Sequence, residues 1–306
     1  MGKVNLFVII VTYKGRQWYD RCFTSLREST IPVQTIVVDN ASNDGTLEYI
    51  KEHYPEIHLI ESKENLGFGR ANNLGMRYAL DNGCDYVFLL NQDAWVEKDA
   101  FEKLIGTHQN HTEYGILAPV HTTPDKNELE PVFISFVKDN NNTDGTWFND
   151  LYWGKGKEVY ETKYIHAAGW LLPRKVLEEV GGFDPIFIHY EEDDDYLNRV
   201  RYHGFKIGIC PQARMVHDCN RDYIYSKGKE FLRHQQMLLV DFVDINQDKP
   251  VINYCVYLFR KTISSMIRMQ WRKMHSYWRD FRFLIRMKSR IKESRGKNCQ
   301  KGPNWI

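Results

Sequence analysis

Four apolar runs, each separated from the next by a stretch of helical spacing, constrain this chain more than any other feature. They are "NLFVIIVT" from Asn5, "QTIVVDN" from Gln34, "IHLIES" from Ile57 and "DYVFLLN" from Asp85. Between them, Trp18, Cys22, Phe23 and Leu26 recur at helical spacing. "SNDGTLEYIKEHY" opens on a cap-rich turn, and "GFGRANNLGMRYALDNG" closes on Asn82-Gly83. Strands that are apolar along their whole length are buried on both faces. Strand–helix alternation therefore predicts an α/β fold: a Rossmann-like, mostly parallel central sheet with helices on both faces. In such sheets ligands bind beyond the carboxyl ends of the strands. Asp39, Asn65, Asn91 and Asp93 fall at or just after those ends.

The rest of the chain adds detail. From about Pro119 to Tyr164 the pattern loosens, and "KDNNNTDGTW" reads as a polar surface loop. Regular signals return in "YIHAAGWLLPRKVLEEVGGFD", then in a helix opened by acids, "IFIHYEEDDDYLNRVRYHG", and in two short strands, "FKIGIC" and "ARMVH". Beyond Asp222 the chain reads as a helical extension. The 306 residues carry a formal net charge of +1, which gives no argument for a nucleic-acid partner, and none is expected. The six cysteines form no C-x-x-C, so neither a zinc site nor a redox dithiol is indicated, and reduced thiols in the cytoplasm are the expectation. The first apolar run is too short to span a membrane and has no cleavage pattern after it.

Six motifs stand in order: "VIIVTYK", "IVVDNASNDGT", "NLGFGRANNLGMRYAL", "LLNQDA", "GGFDPIFIHYEEDDDYLNR" and "ARMVH". Together, over roughly residues 4–218, they resemble the family-2 inverting glycosyltransferases of GT-A fold, in the bacterial rhamnosyltransferase-like branch. The residues and the resemblance can be read side by side.

Asp39 ends a strand, where a carboxylate can accept the imide N–H of a uracil or thymine base. The resemblance implies that role, with Thr12 and Tyr13 as the other side of the base pocket. Ser42 and Asp44 read as turn and cap. "NLGFGRANN" fails as a dinucleotide fingerprint, because Asn72 stands at the third glycine position. Gly67 either lets backbone approach a nucleotide or starts a helix. Asn65, Arg70 and Asn72 are candidates for ribose or phosphate, with Arg70 equally open to a structural role. The resemblance aligns Asn91-Gln92-Asp93 with a D-x-D motif whose last acid binds Mn²⁺ or Mg²⁺. Asp93 supplies the hard oxygen such ions prefer, and Asn91 offers at best a neutral ligand or a ribose contact. A lone histidine is ordinarily structural, but the resemblance implies that His217, ending "ARMVH", is a metal ligand.

"EEDDD", Glu191 to Asp195, opens a helix whose dipole favours acids. Crowded carboxylates also repel and raise one another's pKa, which suits a general base. The resemblance puts Glu192, Asp193 and Asp195 in register with a Glu-Asp-x-Asp pattern and implies Asp193 as the base. It also implies that Gly169 and Trp170 shape the acceptor junction; Trp170 either stacks on a sugar face or sits in the core.

The last stretch differs in character. Ile263, Ile267, Trp271, Met274, Trp278, Phe281 and Ile285 predict one helical stripe, and from Val251 onward fourteen Lys and Arg face two acids. This pattern suits a helix on an anionic membrane, a face packed on the catalytic unit, or more weakly a nucleic-acid arm. The expectation is a catalytic domain over residues 1–222 and a basic, amphipathic helical region over 223–306, peripheral on the inner face of the cell membrane. The expected reaction moves a sugar from a UDP- or dTDP-sugar to a glycan or lipid-linked saccharide. A nucleotidyltransferase lacks its Gly-rich loop here, and a non-catalytic nucleotide-sugar-binding or membrane-scaffold protein is the alternative from another class.

Overall fold

A computed structural model describes residues 4–139, 141–143, 145–219 and 227–306. The elements are β1 (Leu6–Thr12), α1 (Tyr19–Arg27), β2 (Val33–Asp39), α2 (Thr46–His53), β3 (His58–Glu61), α3 (Phe68–Asp81), β4 (Tyr86–Asn91), β5 (Ala94–Val96), α4 (Ala100–Asn110) and β6 (Tyr114–Thr122). They continue with α5 (Pro131–Lys138), α6 (Trp147–Tyr152), β7 (Tyr160–Glu161), β8 (Gly169–Pro173), α7 (Arg174–Glu179), α8 (Glu192–Tyr202) and β9 (Lys206–His217). Helices α9 (Lys227–Val243), α10 (Val251–Ile267) and α11 (Trp271–Asn298) close the chain.

One sheet runs in the order β3-β2-β1-β4-β8-β6-β9-β5, with β7 beside β9. Strands β3, β2, β1 and β4 are mutually parallel, as the four apolar runs predict. Strand β8 pairs antiparallel with both β4 and β6, and β9 lies parallel to β6. The carboxyl ends of β1, β2, β4, β6 and β9 and the amino end of β8 therefore share one edge. Apolar clusters cover both faces, one holding Phe7, Ile9 and Trp170, the other Val8, Ile10 and Phe88. Gly75 lets α3 press on the sheet: a Cβ there would stand 2.5 Å from Ile9 Cγ2.

Two expectations need correction. The stretch read as loosened from Pro119 onward contains the end of a fully interior strand, β6, and then the short helices α5 and α6. "FKIGIC" and "ARMVH" belong to one strand, β9, whose register slips between Pro119 and Val120 of its neighbour. Pro211 falls in that slip, where its missing N–H breaks no ladder bond.

The predicted C-terminal stripe is also divided. Helix α10 ends at Ile267, Met269 adopts a left-handed φ of 55°, and α11 folds back along α10. Cys255, Leu258, Leu284 and Ile291 are buried between the helices and against Ile186 and Phe187, which precede α8. The chain end is fastened as well: Gly182 N donates to Asn304 O at 2.8 Å, and Lys301 meets Glu179 at 2.5 Å.

Candidate active site

Thr12 and Asp39 close the parallel strands β1 and β2 side by side. Asp39 is buried, with Oδ1 accepting from Thr12 Oγ1 at 3.0 Å and Oδ2 from Ser42 N at 2.8 Å. Each oxygen keeps a second acceptor direction. Thr12 is fully buried, so it orients Asp39 instead of walling an open pocket. Tyr13, in contrast, is exposed and offers a ring face. Asn40, which the sequence reading passed over, ties this end to the next loop by bonding Leu66 N and Gly67 O.

Several residues proposed for the nucleotide prove to have structural duties. Gln92 accepts from Tyr13 N at 2.9 Å and donates back to Tyr13 O at 3.3 Å, stapling the ends of β4 and β1. Asn72 is buried and donates to Phe68 O within its own helix, so it faces no ribose. Gly67 has φ 81°, and a Cβ would stand 2.4 Å from Ile188 O; the close backbone it permits is that of Ile188. Asn65 is exposed and accepts from Gly67 N, and Arg70 is exposed with Nη2 on Pro185 O.

Asp93 lies between β4 and β5, and His217 ends β9. Asp93 Oδ1 and His217 Nε2 stand 3.6 Å apart, brought together because Ala94 pairs with His217 in the sheet. Two ligands of one divalent ion, with bonds of about 2.1 Å, sit about 3 Å apart. His217 is buried, and its Nδ1 has no hydrogen-bond partner among the described residues. A hard carboxylate beside a neutral imidazole, with room for diphosphate oxygens, fits Mn²⁺ or Mg²⁺.

Beyond the strand ends opens a cleft of about 690 Å³, bounded by Asn91, His166, Tyr164, the acids 191–194, Arg233 and Met237. The chain enters α8 through two consecutive left-handed residues, Tyr190 at φ 72° and Glu191 at φ 67°. Non-glycine residues in that region are strained, and such strain concentrates where side chains must be aimed. Burial raises the Asp193 carboxyl, while Tyr164 Oη donates to its Oδ2 at 2.9 Å and favours the anion. Glu192 differs: burial and then the charge of Asp193 push it up to about 8, and its Oε2 has no partner among the described residues. Asp194 is likewise pushed up to about 8, by burial and then by Asp193 and Glu191. Burial raises all three carboxyls, and Asp193 is the one that a hydroxyl, Tyr164 Oη, holds in its anionic form. Tyr164 gives no motif signal, because only the fold brings it to Asp193.

Three expected site residues are absent from this cleft. Asp195 is buried in an ion pair with Arg199, 2.9 Å away, and Arg199 in turn bonds Val180 O and Gly182 O; the pair anchors α8. Trp170 is fully buried against Phe183 and Tyr196 and has no face for a sugar. Gly169 lies in β8, where a Cβ would meet Met215 Sδ at 2.4 Å, so its role is packing.

The architecture is that of the GT-A glycosyltransferases. It aligns with the mannosyltransferase PcManGT from Pyrobaculum calidifontis, solved with GDP-Man and Mn²⁺, at a TM-score of 0.58 and 20% identity over 80% of this chain and 65% of that one. The model of the family "Glycosyl transferase family 2" matches residues 7–181, and the chain belongs to that family. Its relatives include the low-salt glycan biosynthesis hexosyltransferase Agl10 of Haloferax volcanii, 26% identical over 70% of this chain and 67% of the relative. The dTDP-rhamnosyl transferase RfbF of Shigella flexneri is 27% identical over 70% and 69%. The N-acetylglucosaminyl-diphospho-decaprenol L-rhamnosyltransferase of Mycobacterium tuberculosis is 27% identical over 69% and 75%.

Proposed function

We propose that this glycosyltransferase moves a hexosyl or deoxyhexosyl unit from a UDP- or dTDP-sugar to a saccharide or lipid-linked saccharide during surface polysaccharide synthesis, with inversion. The observation that supports this reading best is Asp193: one carboxylate, in an open cleft, oriented by Tyr164 and flanked by Glu192, whose carboxyl burial raises. Asp39 and Tyr13 hold the base, and Asn91 and Arg70 flank the ribose and phosphates. Asp93 and His217 hold the divalent ion, which when bound neutralises charge on the leaving diphosphate. Asp193 takes the acceptor hydroxyl proton as that oxygen bonds to the anomeric carbon opposite the nucleotide. The bond to the diphosphate breaks in the same displacement, so the configuration inverts without a covalent intermediate.

We assign residues 1–222 to catalysis and 223–306 to a helical region that seats the enzyme on an anionic membrane at the cytoplasmic face. Among the described residues no helix is long and apolar enough to cross a membrane. Support for a surface contact comes from the α10–α11 turn, where Ile263, Met266, Ile267, Met269 and Trp271 are all exposed. Exposed Arg268, Arg272 and Lys273 flank them. The dTDP-rhamnosyl and decaprenol-linked chemistries named for two relatives favour a deoxysugar donor and a lipid-linked acceptor.

The test is turnover and nucleotide release with a panel of UDP- and dTDP-sugars, in wild type and Asp193→Asn. The variant is expected to bind donor normally and lose about 10²–10⁴ in rate. Normal turnover in Asp193→Asn would remove the base assignment, and binding without release across the panel would favour the non-catalytic alternative.

A further inference from the structure

The strand order places three histidines side by side that are far apart in sequence. His121 stands near the end of β6, His217 ends β9, and His166 precedes β8; these are neighbouring strands, β8-β6-β9. Glu130, the cap of α5, completes the group, and one ligand atom from each of the four lies within 4.8 Å of all the others. His121 Nδ1 and His166 Nε2 are 3.3 Å apart, and His166 Nε2 is 3.9 Å from Glu130 Oε2. Bonds of about 2.0–2.1 Å around a tetrahedral ion set neighbouring nitrogens about 3.3–3.4 Å apart.

A histidine buried for structural reasons ordinarily fixes its ring on a carbonyl or carboxylate. Among the described residues, His121 and His166 have only each other as a hydrogen-bonding contact within reach, with Glu130 just beyond it. His121 Nε2, His166 Nδ1 and His217 Nδ1 are buried without partners among those residues. Glu130 is fully buried and firmly held: Oε1 accepts from Val132 N and Cys219 Sγ, and Oε2 accepts from Phe133 N at 2.6 Å.

We infer that His121, His166, His217 and Glu130 form a closed cation site for a tetrahedral transition ion, Zn²⁺ in the first instance, distinct from the Asp93 side. Three imidazoles and one carboxylate suit Zn²⁺ and disfavour Mg²⁺, which prefers six oxygens. Four protein ligands with no open position are the mark of a structural site. Its effect is to clamp the ends of β8, β6 and β9, and so to fix His217 and the wall of the cleft that His166 lines. A neutral imidazole has one lone pair, so when Nδ1 of His217 serves the inner ion, Nε2 carries the proton toward Asp93, and Asp93 without His217 is left to hold the ion on the nucleotide side. With Nε2 turned toward Asp93, Nδ1 is the nitrogen left for the inner group.

The experiment uses the full chain without nucleotide, stripped of metal and titrated with Zn²⁺ against a chromogenic chelator, and separately with Co²⁺. Wild type and Asp93→Asn are expected to take one Zn²⁺ per chain with similar affinity, in excess Mg²⁺, and to give the intense visible absorption of tetrahedral Co²⁺. His121→Gln and His166→Gln should weaken Zn²⁺ by roughly 10–100-fold or more. Loss of uptake in Asp93→Asn would move the ion to the nucleotide side and overturn the inference, as would unchanged affinity in both histidine variants. If those variants do not fold, the wild-type Co²⁺ spectrum decides: weak octahedral bands or none would show that water, not an ion, fills the group. None of these readouts depends on sugar transfer, so failure here leaves the proposed reaction standing, and the reverse.

Discussion

Glu192→Gln exchanges an ionisable carboxyl for an amide of the same shape at a buried position lining the cleft. In the folded chain burial, and then Asp193, push this carboxyl from 4.5 up to about 8. In the unfolded chain it ionises near 4.5. Between those values the folded state binds one more proton than the unfolded state. The stability this group contributes is therefore fully present below the unfolded pKa and is lost as pH rises through the folded one. The slope is about 1.4 kcal/mol per pH unit, or roughly 2–3 kcal/mol between about pH 5 and about pH 7. The substituted amide has no proton to lose, so the variant's stability should fall less steeply over that window and exceed wild type at its upper end. Urea unfolding followed by circular dichroism across a buffer series measures both profiles. Asp194, also pushed up to about 8, leaves a residual slope in the variant. Parallel profiles for the two proteins would refute the reasoning. They would mean that Glu192 is ionised in the folded chain and available as a base in place of Asp193.

Asp195→Ala strands the buried Arg199 guanidinium and should cost about 3–5 kcal/mol, read as a lowered unfolding midpoint; an unchanged midpoint would return Asp195 to the list of cleft residues. Chelation should abolish turnover and Mn²⁺ or Mg²⁺ restore it, while Asp93→Ala weakens nucleotide diphosphate binding only when metal is present; full turnover in chelator would end the metal assignment. Truncation before α10 is a poor membrane test, because it opens the apolar contacts around Cys255 and Leu258. The double variant Ile267→Glu, Trp271→Glu should instead reduce binding to anionic liposomes while leaving transfer to a soluble acceptor intact, and high salt should weaken wild-type binding. Indifference of the wild-type chain to such liposomes at low salt would assign the exposed turn another partner.

How much of this was legible in the residues depends on the distance over which each signal acts. The four parallel strands, their helices and the placement of Asp39, Asn91 and Asp93 at strand ends follow from local periodicity and burial, which a linear sequence records directly. The acids opening α8 are equally visible, because a helix start is a local event. Which of those acids faces the cleft is not. Asp195 turns inward to Arg199 one helical turn away, whereas Asp193 turns outward to Tyr164, a residue from another part of the chain. The same holds for Trp170, whose identity suits a sugar platform and whose strand buries it. It holds most of all for His121, His166 and His217. No spacing links them in sequence, because they meet only through the reversed strand β8 and the non-sequential order β8-β6-β9. Sequence determined which segments are strands and which of their ends carry chemistry; the tertiary structure decided which ends are neighbours, since strand order is set by long-range pairing that no local pattern encodes.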